Sequence, residues 1–188
     1  YYNKPTQEGL YQHYKKIADL VDIPQILYNV PGRTSVDMQP DTVLRLSTHK
    51  NIVGIKEASG NKDRSLSLMK LCSKDIKIFT GDDKTSMSDI SDGFSGNISV
   101  TANVAPLEMH QMCQSALEGD IENASKLNSN LDILHDLLFC ESNPIPVKWC
   151  LHKMRLIKKG IRLPLTWMDE KFDRPLTEGL IKSGIVDE

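Results

Sequence analysis

The sequence has 188 residues, 39% of them apolar and 26% charged, the balance of a packed globular domain, which excludes a disordered or fibrous chain. Its formal net charge is −2, with Lys and Arg scattered among Asp and Glu, so there is no basic stripe for nucleic acid and no polybasic membrane patch. The longest apolar runs are strand-length, far short of the ~20 residues of a membrane-spanning helix, and a soluble protein acting on small molecules is expected.

Thr6 is placed to cap a first helix whose apolar positions Leu10, Tyr14, Ile17, Ala18 and Val21 follow the 3.6-residue period. Pro24-Gln-Ile-Leu-Tyr-Asn-Val30 is a short apolar run stopped by Pro31 and Gly32, which suits a buried parallel strand. Pro40 opens a short helix through Leu46. Ile52 to Ala58 reads as a second buried strand, closed by Ser59-Gly60-Asn61 and followed by an amphipathic helix over Leu66, Met69, Leu71 and Cys72. Strand Ile76 to Gly81 then leads to a weaker helix around Met87 and Ile90, and strand Gly96 to Val100 to a stronger one from Pro106 to Leu117. After Gly119 the period-2 segments stop, and helices are expected over Ile121 to Cys140, Ile145 to Ile157 and Pro175 to Ile185.

Four βα units in succession require parallel strands joined by helical crossovers. An α/β fold of this kind is either an open doubly wound sheet or part of a (β/α)8 TIM barrel, and a complete barrel takes ~250 residues. The chain opens abruptly on Tyr1-Tyr2 without an initiating Met, so it is expected to continue upstream, where roughly the first four strands of a barrel would lie. On that expectation residues 1–119 are the C-terminal half of a barrel and residues 120–188 a C-terminal helical domain.

Lys56 is the most informative residue, because a lysine inside an apolar strand must either leave its ammonium poorly solvated or reach out to water. Parity groups it with Ile52 and Gly54, and the small Gly54 is expected to leave room beside it. A desolvated lysine loses its proton more readily, and the neutral amine can attack a carbonyl. The other reading is a lysine paired with a carboxylate at the strand end. Tyr28, one βα unit earlier, reads either as rim packing or as a phenol projecting to the same edge. Arg33, in the loop Pro31-Gly32-Arg33-Thr34, is either a solvated loop residue or a bidentate binder of a carboxylate. Gly81 and Ile98 fall at the exits of the last two strands. The five histidines and four cysteines show no metal-ligand spacing, so no metal is expected. The cysteines read as reduced and structural, which points to a reducing, cytoplasmic compartment.

Taken together, Tyr1-Tyr-Asn-Lys-Pro5, Ile26-Leu-Tyr-Asn-Val-Pro-Gly-Arg-Thr34, Gly54-Ile-Lys-Glu-Ala-Ser-Gly60, Ser99-Val-Thr-Ala-Asn103 and Asn143-Pro-Ile-Pro-Val-Lys148 resemble, in order, motifs of the dihydrodipicolinate synthase family. The resemblance runs nearly end to end. It implies a (β/α)8 barrel with a C-terminal helical domain, entered here at the end of the fourth strand. It further implies that Lys56 forms a Schiff base with pyruvate, that Tyr28 donates and accepts the proton, and that Tyr2 completes a proton relay across a subunit interface. By the same resemblance Arg33 binds the carboxylate of aspartate 4-semialdehyde, Gly81 and Ile98 line the pyruvate pocket, and Tyr1 belongs to a lysine-binding regulatory site. No metal or organic cofactor is implied, and a homo-oligomer, dimer or tetramer, is. Related lyases and aldolases acting on N-acetylneuraminate or keto-deoxy sugar acids share the lysine and tyrosine but tend to lack the loop arginine, so Arg33 favours the synthase. A catalytically silent half-barrel is a third reading. The family's relay threonine and the threonine that holds pyruvate's carboxylate lie on a strand this sequence does not contain.

Overall fold

The computed structural model of the chain describes residues 1–187. Its first part alternates helices and strands: α1 (Gln7–Leu20), β1 (Gln25–Asn29), α2 (Pro31–Thr34), α3 (Pro40–Ser47), β2 (Ile52–Glu57), α4 (Lys62–Cys72), β3 (Lys77–Thr80) and α5 (Ser86–Ser91). The second part is helical: α6 (Pro106–Glu118), α7 (Ile121–Leu137), α8 (Ile145–Lys153) and α9 (Asp173–Lys182). The class is therefore α/β with a parallel sheet, as the alternation in the sequence requires.

The sheet runs β1-β2-β3 with every pair parallel. Its register places Leu27, Ile55 and Ile78 in one row, and Asn29, Glu57 and Thr80 in another. Both rows are buried on the face against which α3 and α4 pack. On the opposite face Tyr28 pairs with Lys56 and Lys56 with Phe79. This face is uncovered at its edge, where Ile26 is 48% and Tyr28 44% exposed.

A fourth strand at Gly96 to Val100 does not form. The chain here runs briefly beside β3, with Ser95 N donating to Ile78 O at 2.7 Å, Thr80 N to Gly96 O at 3.0 Å and Ile98 N to Thr80 O at 2.9 Å, and makes one bridge, between Thr80 and Asn97. Gly96 has a positive φ of 146°, so the chain bends within this pairing. It leaves the pairing after Ile98 and goes into a 3-10 turn over Thr101–Asn103.

Two compact units divide between Ile98 and Ser99. In the second of these α6 packs on α7. Met109, Met112 and Ala116 of α6 and Leu131, Leu134 and Leu138 at α7 form the core of the second unit with Leu176 and Leu180 of α9. Asp120 caps α7 by accepting from Asn123 N at 3.1 Å, and Thr101 Oγ1 is hydrogen-bonded to the buried His135 Nδ1 at 2.9 Å.

Helix α1 starts at Thr6, whose hydroxyl accepts from Gly9 N, as the sequence indicates. Its apolar face does not pack as expected: Ala18 alone of the five positions is fully buried, and Ile17 and Val21 are exposed. No helix among the described residues is long and apolar enough to cross a membrane.

Candidate functional site

Tyr28 and Lys56 meet because they are register partners at the C-terminal ends of neighbouring parallel strands. The Lys56 Nζ lies 4.4 Å from the centroid of the Tyr28 ring, a cation–π distance when the amine is charged. Burial lowers the pKa of this amine from its ordinary 10.5, and the negative charge of Asp83 acts against that shift. A larger share of Lys56 is therefore neutral near pH 7 than for a surface lysine. A neutral amine beside a phenol can form an imine with a carbonyl compound and pass protons locally.

The room for Lys56 does not come from Gly54. A Cβ at Gly54 would stand 2.9 Å from the Lys77 carbonyl and 3.4 Å from the Phe79 ring, so that position permits β3 to approach β2. Gly81 supplies the space: a Cβ there would stand 2.5 Å from Lys56 Cε and 2.8 Å from Ala58 Cβ. Gly81 N donates to Glu57 O at 2.7 Å, which holds this bare stretch of backbone against the lysine stem.

A cavity of about 470 Å³ opens beside Tyr28 and is lined also by Tyr1, Tyr2, Asn29, Thr34 and the α1 residues His13 and Tyr14. It thus gathers Tyr1, Tyr2 and Tyr28 around one space, Tyr1 and Tyr2 being 84% and 86% exposed. Lys56, Arg33, Gly81 and Ile98 are not among its lining residues. Arg33 is exposed in the last turn of α2, one residue from the lining Thr34. The segment that reads as a loop is in fact one helical turn, begun by Pro31 and ended at Ser35 in the left-handed conformation. Ile98 is 40% exposed at the end of its brief pairing with β3.

Behind the Tyr28–Lys56 pair lies a cluster that sequence reasoning missed. Glu57 is 3% and Asn29 2% exposed. Glu57 Oε2 accepts from Arg64 Nε at 2.6 Å and from Asn29 Nδ2 at 3.1 Å, and its Oε1 accepts from Ser59 N at 2.9 Å. Asn29 Nδ2 also donates to Asp37 Oδ1 at 2.9 Å, and Asn29 Oδ1 accepts from Met38 N at 3.0 Å. Arg64 completes the cluster through Asp37, 3.2 Å away, and the Met38 carbonyl. One signal was available: a glutamate on the buried face of an apolar strand demands partners. Which partners they are depends on the tertiary fold.

Burial raises Cys72 to about 11 and Cys150 to about 12, so both remain thiols at neutral pH and neither competes with Lys56 as a nucleophile. Among the described residues no group of three or more His, Cys, Asp or Glu is placed to hold a metal ion.

The model of the Dihydrodipicolinate synthetase family matches residues 1–182. The 4-hydroxy-tetrahydrodipicolinate synthase of Thioalkalivibrio sulfidiphilus is 57% identical over 185 residues, which cover 98% of this chain and 63% of that protein. That of Pseudomonas putida is 58% identical over 186 residues, 99% of this chain and 64% of that protein. Among solved structures, the chloride-inhibited dihydrodipicolinate synthase from Acinetobacter baumannii, complexed with pyruvate, superposes with a TM-score of 0.97 at 53% identity, covering 99% of this chain and 64% of that one. The chain thus spans somewhat under two thirds of the length of the proteins it matches.

Proposed function

The chain belongs to the dihydrodipicolinate synthetase family, and on that premise we propose that it carries the reacting lysine of an enzyme that condenses pyruvate with L-aspartate 4-semialdehyde to 4-hydroxy-tetrahydrodipicolinate, in the biosynthesis of diaminopimelate and lysine. The observation that carries this reading is the half-buried Lys56 amine, its pKa lowered by burial, held 4.4 Å from the Tyr28 ring.

In this scheme the neutral Nζ adds to the ketone carbon of pyruvate, water leaves with the ketone oxygen, and a protonated imine forms. The imine nitrogen draws electrons from a methyl C–H bond, whose proton passes to Tyr28, leaving an enamine. The enamine carbon attacks the aldehyde carbon of the semialdehyde, whose oxygen takes a proton. The amino group of the semialdehyde then attacks the imine carbon, closing the ring and releasing Lys56 as the amine. Tyr2 relays the proton, Arg33 holds the semialdehyde carboxylate, and Gly81 and Ile98 border the pyruvate. Tyr1 is a candidate for a regulatory site. The lysine serves as the electron sink, so the scheme calls for no metal or organic cofactor.

Three further readings accompany this one. The chain supplies the C-terminal part of a (β/α)8 barrel, with three formed strands and the Gly96 to Val100 segment at the position of a fourth, a reading that the uncovered sheet face at Ile26 and Tyr28 supports. The enzyme is a homo-oligomer, a reading that the exposed Tyr1, Tyr2 and α1 apolar residues support. It works in the cytoplasm.

Borohydride reduction in the presence of pyruvate, on the native enzyme carrying this sequence, is expected to add one reduced pyruvyl group at Lys56. An enzyme that turns over yet yields no adduct at that position overturns the assignment. Condensation with the semialdehyde, assayed against cleavage of sialic or keto-deoxy sugar acids, separates the synthase from its aldolase relatives. Replacing Arg33 by Ala should impair the former alone.

A further inference from the structure

The Asn29–Glu57–Arg64 cluster sits one residue along from the Tyr28–Lys56 pair on both strands and on the opposite face of the sheet. Successive side chains of a strand point to opposite faces, so whatever fixes Asn29 and Glu57 fixes the backbone from which Tyr28 and Lys56 project. The strand ends are tied here more firmly than backbone pairing alone would tie them. Ala58 N donates to Asn29 O at 2.9 Å, while the Asn29 amide reaches both Glu57 oxygens, at 3.2 and 3.1 Å. Glu57 then binds Ser59 N at the start of the next turn, and Arg64 in the first turns of α4. Through its carbonyl Glu57 also holds Gly81, the residue that packs on the Lys56 stem.

Stability alone does not call for this arrangement. The other buried positions on that face are Leu27, Ile55, Ile78 and the small Thr80, and well-packed apolar side chains in place of a buried ion pair are often neutral or stabilising. What an apolar cluster lacks is directionality: hydrogen bonds to four separate segments define one relative position of the strand ends. From this geometry we propose that Asn29, Glu57 and Arg64 are positioning residues that set the Tyr28 phenol relative to the Lys56 amine for proton transfer. The proposal rests on the reading of Lys56 and Tyr28 given above.

Imine formation needs an accessible Lys56, whereas removal of the pyruvate methyl proton also needs Tyr28 at the right place, and a misplacement of about 1 Å can cost on the order of 10²-fold in rate. Asn29→Ala removes the side-chain tie between β1 and β2 and leaves the Glu57–Arg64 pair in place. In the native enzyme this variant should form the borohydride-trapped pyruvate adduct to the wild-type extent, with KM for pyruvate changed by less than about twofold. Exchange of the pyruvate methyl protons with deuterated solvent, and kcat, should both fall by roughly tenfold or more. Asp37→Asn, at a side chain 40% exposed, keeps the question open to measurement if Asn29→Ala fails to fold; it should show the same split at smaller size. Exchange and kcat within about threefold of wild type in a folded variant overturn the proposal. So does a parallel loss of adduct and turnover. A wild-type enzyme without an adduct at Lys56 instead sinks the reading of Lys56, so the two failures are told apart.

Discussion

Lys56 shows how one residue can be chosen against stability. Its folded pKa lies below the ordinary 10.5 because burial disfavours the ammonium. The folded chain therefore holds this proton less tightly than the unfolded chain does. The resulting loss of stability is complete below the lowered folded pKa and fades as the pH rises from there to 10.5, above which the amine is neutral in both states. Lys56→Met keeps the apolar stem and removes the charge, so it should abolish turnover while leaving the thermal midpoint at pH 7 no lower than that of the parent. Kinetics and calorimetry on the two proteins check this, and a clear drop in the midpoint would mean that the ammonium is stabilised by the fold. Lys56 and Tyr28 are legible in the sequence because a lysine and a tyrosine near the ends of adjacent apolar strands are set by parity and order alone. Gly81 as the residue that makes room is not legible: its approach to Lys56 Cε depends on how β3 follows β2.

At the scale of elements, the rotation of α4 is the instructive case. Hydrophobic periodicity puts Leu66, Met69, Leu71 and Cys72 toward the core, yet Leu66 is 48% exposed and the fully buried positions are Arg64, Ser65, Leu68 and Cys72. Arg64, Leu68 and Cys72 are spaced by four and share one face. The helix is turned so that the guanidinium reaches Glu57 and the Met38 carbonyl, and a charged anchor outweighs the placement of one leucine. Removing that anchor with Arg64→Ala leaves the Glu57 carboxylate buried without its ion-pair partner and should cost about 3–5 kcal/mol. By contrast Leu66→Ser should stay within about 0.5 kcal/mol of the parent. Urea unfolding of the two variants tests the rotation, and equal losses would contradict it. The fourth expected strand fails for a comparable reason: Gly96 to Val100 has strand-like composition, but pairing is a tertiary event, and beside β3 it lasts for a single bridge.

For the whole molecule the open face of the sheet is the decisive feature. Parallel sheets are normally covered on both faces, and here α3 and α4 cover one, while Ile26 at 48% and Tyr28 at 44% remain exposed on the other. If the sheet of the native enzyme is an open one with this face in water, Ile26→Lys exchanges an exposed apolar group for a solvated charge. Its effect on stability should then lie within about 0.5 kcal/mol. If further strands close the sheet into a barrel, as proposed, Ile26 points into a packed interior. There a lysine must be buried without a partner or force the barrel open, a penalty of several kcal/mol. The barrel reading therefore expects Ile26→Lys to lower the thermal midpoint of the native enzyme by many degrees and to abolish turnover. The silent counterpart Ile26→Val, which keeps the interior apolar, should cost only about 0.5–1.5 kcal/mol. Calorimetry of the two variants in the native enzyme decides between these architectures, because position 26 pairs with Gly54 in the sheet register and its tolerance reports on what covers that face.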